Sequence, residues 1–173
     1  MRTTEVAAPI VQFVPSPRIL VTSQFGNQLE AATRGLEVVG RWAPLPAWRF
    51  DGSYTFFHLT PRLAAASQDP LAAGEDGSAS GRQWQLRSTF SPVTRATVNF
   101  ALFHVGPLEQ MQVAAYTRAD VSAEWRFSSR LAAMVTGQNL FDAAHAEFGG
   151  VGSFLLVTQV PRSAGVRLRW TFR

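Results

Sequence analysis

The stretch Ser163-Ala164-Gly165-Val166-Arg167-Leu168-Arg169-Trp170-Thr171-Phe172 alternates without a break. Ala164, Val166, Leu168, Trp170 and Phe172 fall on one face, and the residues between them are polar or small. A period of two puts successive side chains on opposite sides of a β-strand. Working upstream, the same pattern recurs. Ala119, Val121, Ala123, Trp125 and Phe127 alternate with Asp120, Ser122, Glu124 and Arg126. Ala96, Val98, Phe100 and Leu102 alternate with Arg95, Thr97 and Asn99. Trp84, Leu86 and Phe90 alternate with Gln83, Gln85, Arg87 and Thr89. Trp48, Phe50, Tyr54 and Phe56 alternate with Arg49, Asp51, Ser53 and Thr55. Leu36, Val38 and Trp42 alternate with Glu37 and Arg41, and residues 131–141 form a weaker segment of similar length.

These are seven segments of about ten residues, against about five or six in an ordinary soluble strand. Ten residues tilted by about 45° span roughly 23 Å, close to the apolar band of an outer membrane. Connections alternate in length. Ala43–Ala47, Ser91–Thr94 and Ser128-Ser129 are short, whereas 61–81, 106–116 and 143–161 are long and rich in Gly, Ala, Pro, Asp and Glu. Outer-membrane barrels sort their connections this way, with the short turns periplasmic. Trp42, Trp48, Phe90, Trp125, Phe127, Trp170 and Phe172 lie on the apolar face beside a short turn or the C-terminus. That is the place of an aromatic girdle at headgroup level, with Tyr54, Phe56 and Phe141 as candidates for the opposite girdle. The expected fold class is therefore all-β, with antiparallel transmembrane β-barrel strands.

Composition agrees with this and excludes other classes. The 173 residues are 46% hydrophobic and 16% charged. No run approaches the roughly 18 apolar residues of a membrane helix. Without cysteine there is neither a disulfide framework nor a thiolate metal site. The net charge of +4 comes entirely from scattered arginines. No basic stripe of the kind that reads nucleic acid is present, so no nucleic-acid partner is expected. His58, His104 and His145 stand far apart in sequence, without partners at zinc-ligand spacing. No nucleophile elbow, phosphate loop or dinucleotide fingerprint is present. The run Gly149-Gly150-Val151-Gly152 falls in a long loop, where glycine is ordinary. Hence no enzyme activity, metal or cofactor is expected. The polar-face charges Glu37, Arg41, Arg49, Asp51, Arg87, Arg95, Asp120, Glu124, Arg126, Arg167 and Arg169 would face the lumen, paired across strands or hydrated.

The chain also resembles a known family. Gly137-Gln138-Asn139-Leu140-Phe141-Asp142, followed by His145-Ala146-Glu147-Phe148, looks like the penultimate-strand motif of TonB-dependent receptors. Val160-Pro161-Arg162 then opens a last strand that ends in aromatics. Thr33-Arg34-Gly35-Leu36-Glu37, Trp42-Ala43-Pro44-Leu45-Pro46-Ala47-Trp48 and Tyr116-Thr117-Arg118-Ala119-Asp120 resemble further segments of the family, in the same order. The family commonly ends on an aromatic, and here Arg173 follows Phe172.

The resemblance implies the C-terminal part of a receptor barrel in the bacterial outer membrane. The intact receptor would take up a scarce ligand such as a ferric siderophore. Residues 1–32 would be mostly extracellular loop, with Arg2–Glu5 as the tail of a preceding strand, and residues 33–172 would be membrane strands, with no plug domain. Met1-Arg2-Thr3-Thr4-Glu5 leads into no secretory signal, so the expectation is a chain without its front part. Expected partners are outer-membrane lipid, the barrel-assembly machinery, the missing N-terminal barrel and plug, and TonB only through that missing part. Two alternatives stay open from the residues. One is a complete small outer-membrane barrel with a structural or adhesive role, using Ile19–Phe25 as an eighth strand. The other is a soluble ligand-binding β-barrel, which would enclose its apolar side chains.

Overall fold

A computed structural model describes residues 3–6, 10–12, 18–20, 23–67, 77, 79–149 and 157–172. In chain order the strands are β1 (Thr3–Val6), β2 (Ile10–Gln12), β3 (Arg18–Leu20), β4 (Ser23–Gly26), β5 (Leu29–Leu45), β6 (Trp48–Leu63), β7 (Arg82–Val93), β8 (Ala96–Val105), β9 (Tyr116–Arg126), β10 (Leu131–Gln138), β11 (Ala144–Phe148), β12 (Thr158–Pro161) and β13 (Ser163–Trp170). Seven of them form one antiparallel sheet in the order β13-β10-β9-β8-β7-β6-β5. The chain divides into two compact units, residues 1–34 with 58–79, and residues 35–57 with 80–173. Strands β5 and β6 contribute to both.

In the first unit, β1 pairs with β4 and β2 with β3. Leu29 and Leu59 are its buried apolar residues among those described. The candidate eighth strand, Ile19–Phe25, is thus not a member of the large sheet. Its described parts belong to β3 and β4, which close on β2 and β1 in two small sheets. The minimal closed barrel built on that strand is not formed. Of Arg2–Glu5, expected as the tail of a preceding strand, the described residues Thr3–Glu5 belong to β1, the partner of β4. Strand β5 begins at Leu29, inside the span expected to be loop, and β6 runs on to Leu63. Alternation did not mark these extensions, because Ala31, Ala32, Thr33 and Pro61 break the period.

The second unit holds the alternating strands, and its registers keep one class of side chain on each face. Directly opposed residues in an antiparallel pair share a face. Trp48 faces Phe90, Phe90 faces Val98, and Val98 faces Ala123. Ala123 then faces Val135, and Val135 faces Val166. That row crosses the sheet from β6 to β13. The opposite face carries the row Arg49, Thr89, Asn99, Ser122, Thr136 and Gly165.

The apolar face has no protein cover among the described residues. Trp42 is 65% exposed, Leu168 71% and Val166 74%, while the small Ala119 and Ala132 are among the few buried apolar residues. A sheet this long, apolar on one side and bare there, cannot gain the burial that stabilises a water-soluble domain. Meanwhile residues of the polar face line an open trough of about 770 Å³. A soluble ligand-binding barrel needs the reverse arrangement.

The aromatics by the short turns pack against one another, some stacked and some edge-on. Trp42 lies 5.6 Å from Phe50, Trp48 lies 4.9 Å from Phe50 and 5.7 Å from Phe90, and Trp170 lies 5.9 Å from Phe172. Such pairs each contribute about 0.5–1.5 kcal/mol beyond area burial. The turns are Pro46-Ala47, Thr94-Arg95 and residues 127–130. The second differs from the expected Ser91–Thr94. A bulge between Phe90 and Val93 carries β7 past Pro92 and moves the turn to Thr94-Arg95, as proline in a sheet often requires. Arg95, expected on the lumenal face, sits in that turn instead. The long connection 143–161 is also more ordered than a loop, since β11 and β12 pair within it.

Candidate functional site

Two polar assemblies stand out in the second unit. The first lies on the polar face of the sheet. Asp51 accepts from Arg41 Nε at 2.6 Å and from Arg49 Nε at 2.9 Å. Arg87 is directly opposite Asp51 in register. Its guanidinium lies over the Phe103 ring at 5.4 Å, and Arg118 lies over the same ring at 4.8 Å. Next to them a hydroxyl–amide chain runs across three strands. Thr89 Oγ1 donates to Asn99 Oδ1 at 3.1 Å, and Asn99 Nδ2 donates to Ser122 Oγ at 3.3 Å. Toward the short-turn end, Glu124 contacts Arg169 at 3.4 Å and Arg126 at 3.8 Å.

Of the charges placed on this face from the sequence, Arg41, Arg49 and Asp51 form one group and Glu124, Arg126 and Arg169 another. Asp120 pairs with Arg118 at 3.0 Å. Glu37, Arg87 and Arg167 make no ion pair among the described residues. These pairs stand open to solvent, which screens them. They make the wall polar and basic, and add little to its stability.

The second assembly lies at the long-loop end, around Asn139. Strand β10 stops at Gln138 and not at Phe141, because Asn139 takes φ 54°. That left-handed conformation costs most L-residues about 1–2 kcal/mol, and asparagine tolerates it best. Gly137, just before it, leaves room for the fold-back. A Cβ there would stand 3.1 Å from Leu140 Cδ2 and 3.4 Å from Val121 Cγ1.

Asn139 is fully buried and every polar group on it is used. Its backbone N–H donates to Asp120 Oδ1 at 3.0 Å, and its Nδ2 donates to the Val160 carbonyl at 2.9 Å. Its Oδ1 meets His145 Nδ1 at 3.1 Å, and its carbonyl accepts from Arg162 Nε at 3.4 Å. The Val160 carbonyl can only accept, which fixes the amide orientation and makes His145 Nδ1 the donor. His145 is itself buried, stacked 4.1 Å from Tyr116, with Nε2 at 3.2 Å from Glu147 Oε1. Arg118 joins the two assemblies, pairing with Asp120 and lying 3.5 Å from Glu147. Asn139, just past the end of β10, thereby ties β9, β11 and β12 together.

A third contact anchors the neighbouring loop. Gly149 packs so closely on the turn around Leu108–Val113 that an added Cβ would stand 2.8 Å from the Met111 carbonyl. The following residues of that glycine run, Gly150, Val151 and Gly152, lie outside the described residues.

The histidines do not come together. His104 stacks on Trp84 at 5.5 Å and contacts Thr117 Oγ1 at 2.9 Å on the apolar face. His58 is exposed in the first unit. Among the described residues no three acidic or histidine side chains form a metal-binding group. Sequence reasoning missed the joint role of Arg118 and Phe103 and the whole Asn139 network. Alternation put Arg118 on the same face as Asp120, which was a usable signal. Nothing in the spacing of Asn139, His145 and Val160 reveals their contacts, because the fold-back at Asn139 sets them.

Two solved structures are similar to this fold. One is the siderophore receptor PiuA from Acinetobacter baumannii, with a TM-score of 0.66 over 83% of this chain and 16% identity. The other is FpvAI in its complex with pyocin S2, with a TM-score of 0.63 over 98% of this chain and 16% identity. The chain spans 22% and 23% of the length of those two proteins. No family model matches the sequence, and no curated protein does.

Proposed function

We propose that this chain is the C-terminal β-barrel segment of a TonB-dependent receptor in a bacterial outer membrane. The intact receptor would take up a scarce ligand, such as a ferric siderophore. One observation carries the reading: a seven-stranded antiparallel sheet with a bare apolar face, an aromatic row beside the short turns and a polar trough behind. Lipid is the solvent that suits such an apolar face. The similarity to siderophore-receptor folds supports the same assignment, as does the order of motifs from Thr33 to Phe172.

Residues 33–172 are assigned to the membrane part, and the plug and remaining strands to sequence outside this chain. TonB would act on that other part, not on these strands. The barrel-assembly machinery would insert the sheet. The polar face, with its excess of arginine, would form one side of the lumen through which an anionic ligand or a plug passes. The connections at 106–115 and 143–161 would make first contact with ligand from outside, as loops generally do.

Uptake tests this directly. Deleting the coding region for residues 33–172 should abolish accumulation of one radiolabelled ferric siderophore in iron-starved cells. Complementation with the intact gene should restore it. Unchanged uptake across a panel of ferric siderophores would refute the siderophore part of the proposal.

A further inference from the structure

Two partners constrain the buried ring of His145 from opposite sides. Asn139 Nδ2 donates to the Val160 carbonyl, so the amide turns Oδ1 toward the ring, and His145 Nδ1 must supply the hydrogen of the 3.1 Å contact. On the far side of the ring, Nε2 stands 3.2 Å from Glu147 Oε1. A neutral imidazole with its hydrogen on Nδ1 has only a lone pair on Nε2. That lone pair would face a carboxylate oxygen, one acceptor against another. A proton between Nε2 and Oε1 removes the conflict. Arg118 Nη1 lies 3.5 Å from the same oxygen, and Tyr116 also hydrogen-bonds to Glu147. Donors around a carboxylate favour its ionised form, so the extra proton belongs to the ring. With both nitrogens donating, His145 is an imidazolium in the closed arrangement.

The surroundings suit a charged ring. The charged and titratable groups around it are Tyr116, Arg118 and Asp120 on β9 and Glu147 on β11, with Asp142 and Arg162 flanking the hairpin of β11 and β12. Asp120 balances Arg118 at 3.0 Å, which leaves Glu147 as the counter-ion of the ring. Tyr116 covers one ring face at 4.1 Å. Once the hairpin lifts away, Asn139 no longer dictates the tautomer. A neutral ring can then place its single hydrogen on Nε2 for Glu147, without conflict. The closed arrangement therefore needs two ring hydrogens and the open one needs only one.

We propose that closure of the β11–β12 hairpin takes up one proton on His145, which makes the hairpin a pH-sensitive latch at the long-loop end. A proton held only by the closed form stabilises it as pH falls, and that stabilisation is lost as pH rises. The latch goes beyond the receptor reading and stands on these contacts whether or not the chain serves in uptake.

The test is amide hydrogen exchange of the membrane-inserted full gene product, followed by mass spectrometry at about pH 5 and about pH 8, the range over which histidine changes charge. Rates are corrected for intrinsic chemical exchange, with β7 and β8 as the internal reference. Protection of Ala144–Phe148 and Thr158–Pro161 should fall about tenfold to a hundredfold from the acid to the alkaline end, since one proton gives at most about tenfold per pH unit. Glu147→Gln should keep the hairpin protected at both ends of the range, because an amide can accept from Nε2 or donate to it and so serves either ring form. His145→Gln should also abolish the pH dependence, whereas His104→Gln should preserve it. Equal protection at both pH values in the parent protein would overturn the proposal. Persistence of the pH dependence in Glu147→Gln or in His145→Gln would overturn it as well.

Discussion

Replacing Asn139 by alanine should release β11 and β12 from the strands beneath them. The side chain holds the Val160 carbonyl at 2.9 Å and His145 Nδ1 at 3.1 Å, in a position that is fully buried. Alanine leaves both partners without a bond. Each such buried group costs about 1–3 kcal/mol. Alanine also loses the ease with which asparagine adopts φ 54°, at about 1 kcal/mol. The combined effect is about 3–7 kcal/mol against the closed arrangement of β11 and β12. Since 1.4 kcal/mol is a factor of ten, opening should become more frequent by about two to five powers of ten. Amide hydrogen exchange of the membrane-embedded protein reads this directly, as lost protection of Ala144–Phe148 and Thr158–Pro161 with β7 and β8 unchanged. Asn139→Gly removes the backbone part and should lose about 1 kcal/mol less. Protection within threefold of the parent for Asn139→Ala would refute the argument that this residue fastens the hairpin.

Val135→Arg puts a charge at mid-strand on the apolar face, in a row shared with Ala123 and Val166. If that face meets lipid, it should cost about 2–4 kcal/mol in a refolding titration into vesicles, whereas Thr136→Arg on the polar face should cost less than 1. Gly149→Ala must displace the Met111 carbonyl from 2.8 Å. It should destabilise the loop end by about 1–3 kcal/mol, read as faster proteolysis between residues 106 and 115. Glu124→Gln removes two long, half-exposed ion pairs. It should change folding stability by less than about 1 kcal/mol in the same titration.

Strand number and facing were legible because both depend on period two. Trp48, Phe90, Val98, Ala123 and Val166 were each assigned a face from sequence, and the registers put them in one row with Val135 of the weaker segment. Strand ends were less legible. Hydrogen bonding carries β5 back to Leu29 and β6 on to Leu63, through Ala, Thr and Pro residues that carry no alternation. The bulge before Val93 shifted a turn and took Arg95 off the lumenal face. The pairing of β3 and β4 with β2 and β1 depends on a local choice among partners, which composition does not rank. The Asn139 network was least legible of all. Its members are spread from Asp120 to Arg162, and one backbone conformation at residue 139 brings them together. The motif around Asn139 drew notice by resemblance, yet its chemistry came only from the geometry.

The most direct test of the membrane-segment account is an immunoblot of separated cell fractions, with antibody raised against Ser163–Phe172. The account predicts a band in the outer-membrane fraction, extractable only with detergent. After heat denaturation it should run at several times the 19.0 kDa of this chain. Recovery in the soluble fraction without detergent would contradict the membrane reading. A denatured band near 19.0 kDa within the outer membrane would contradict the proposal that these strands are part of a larger receptor.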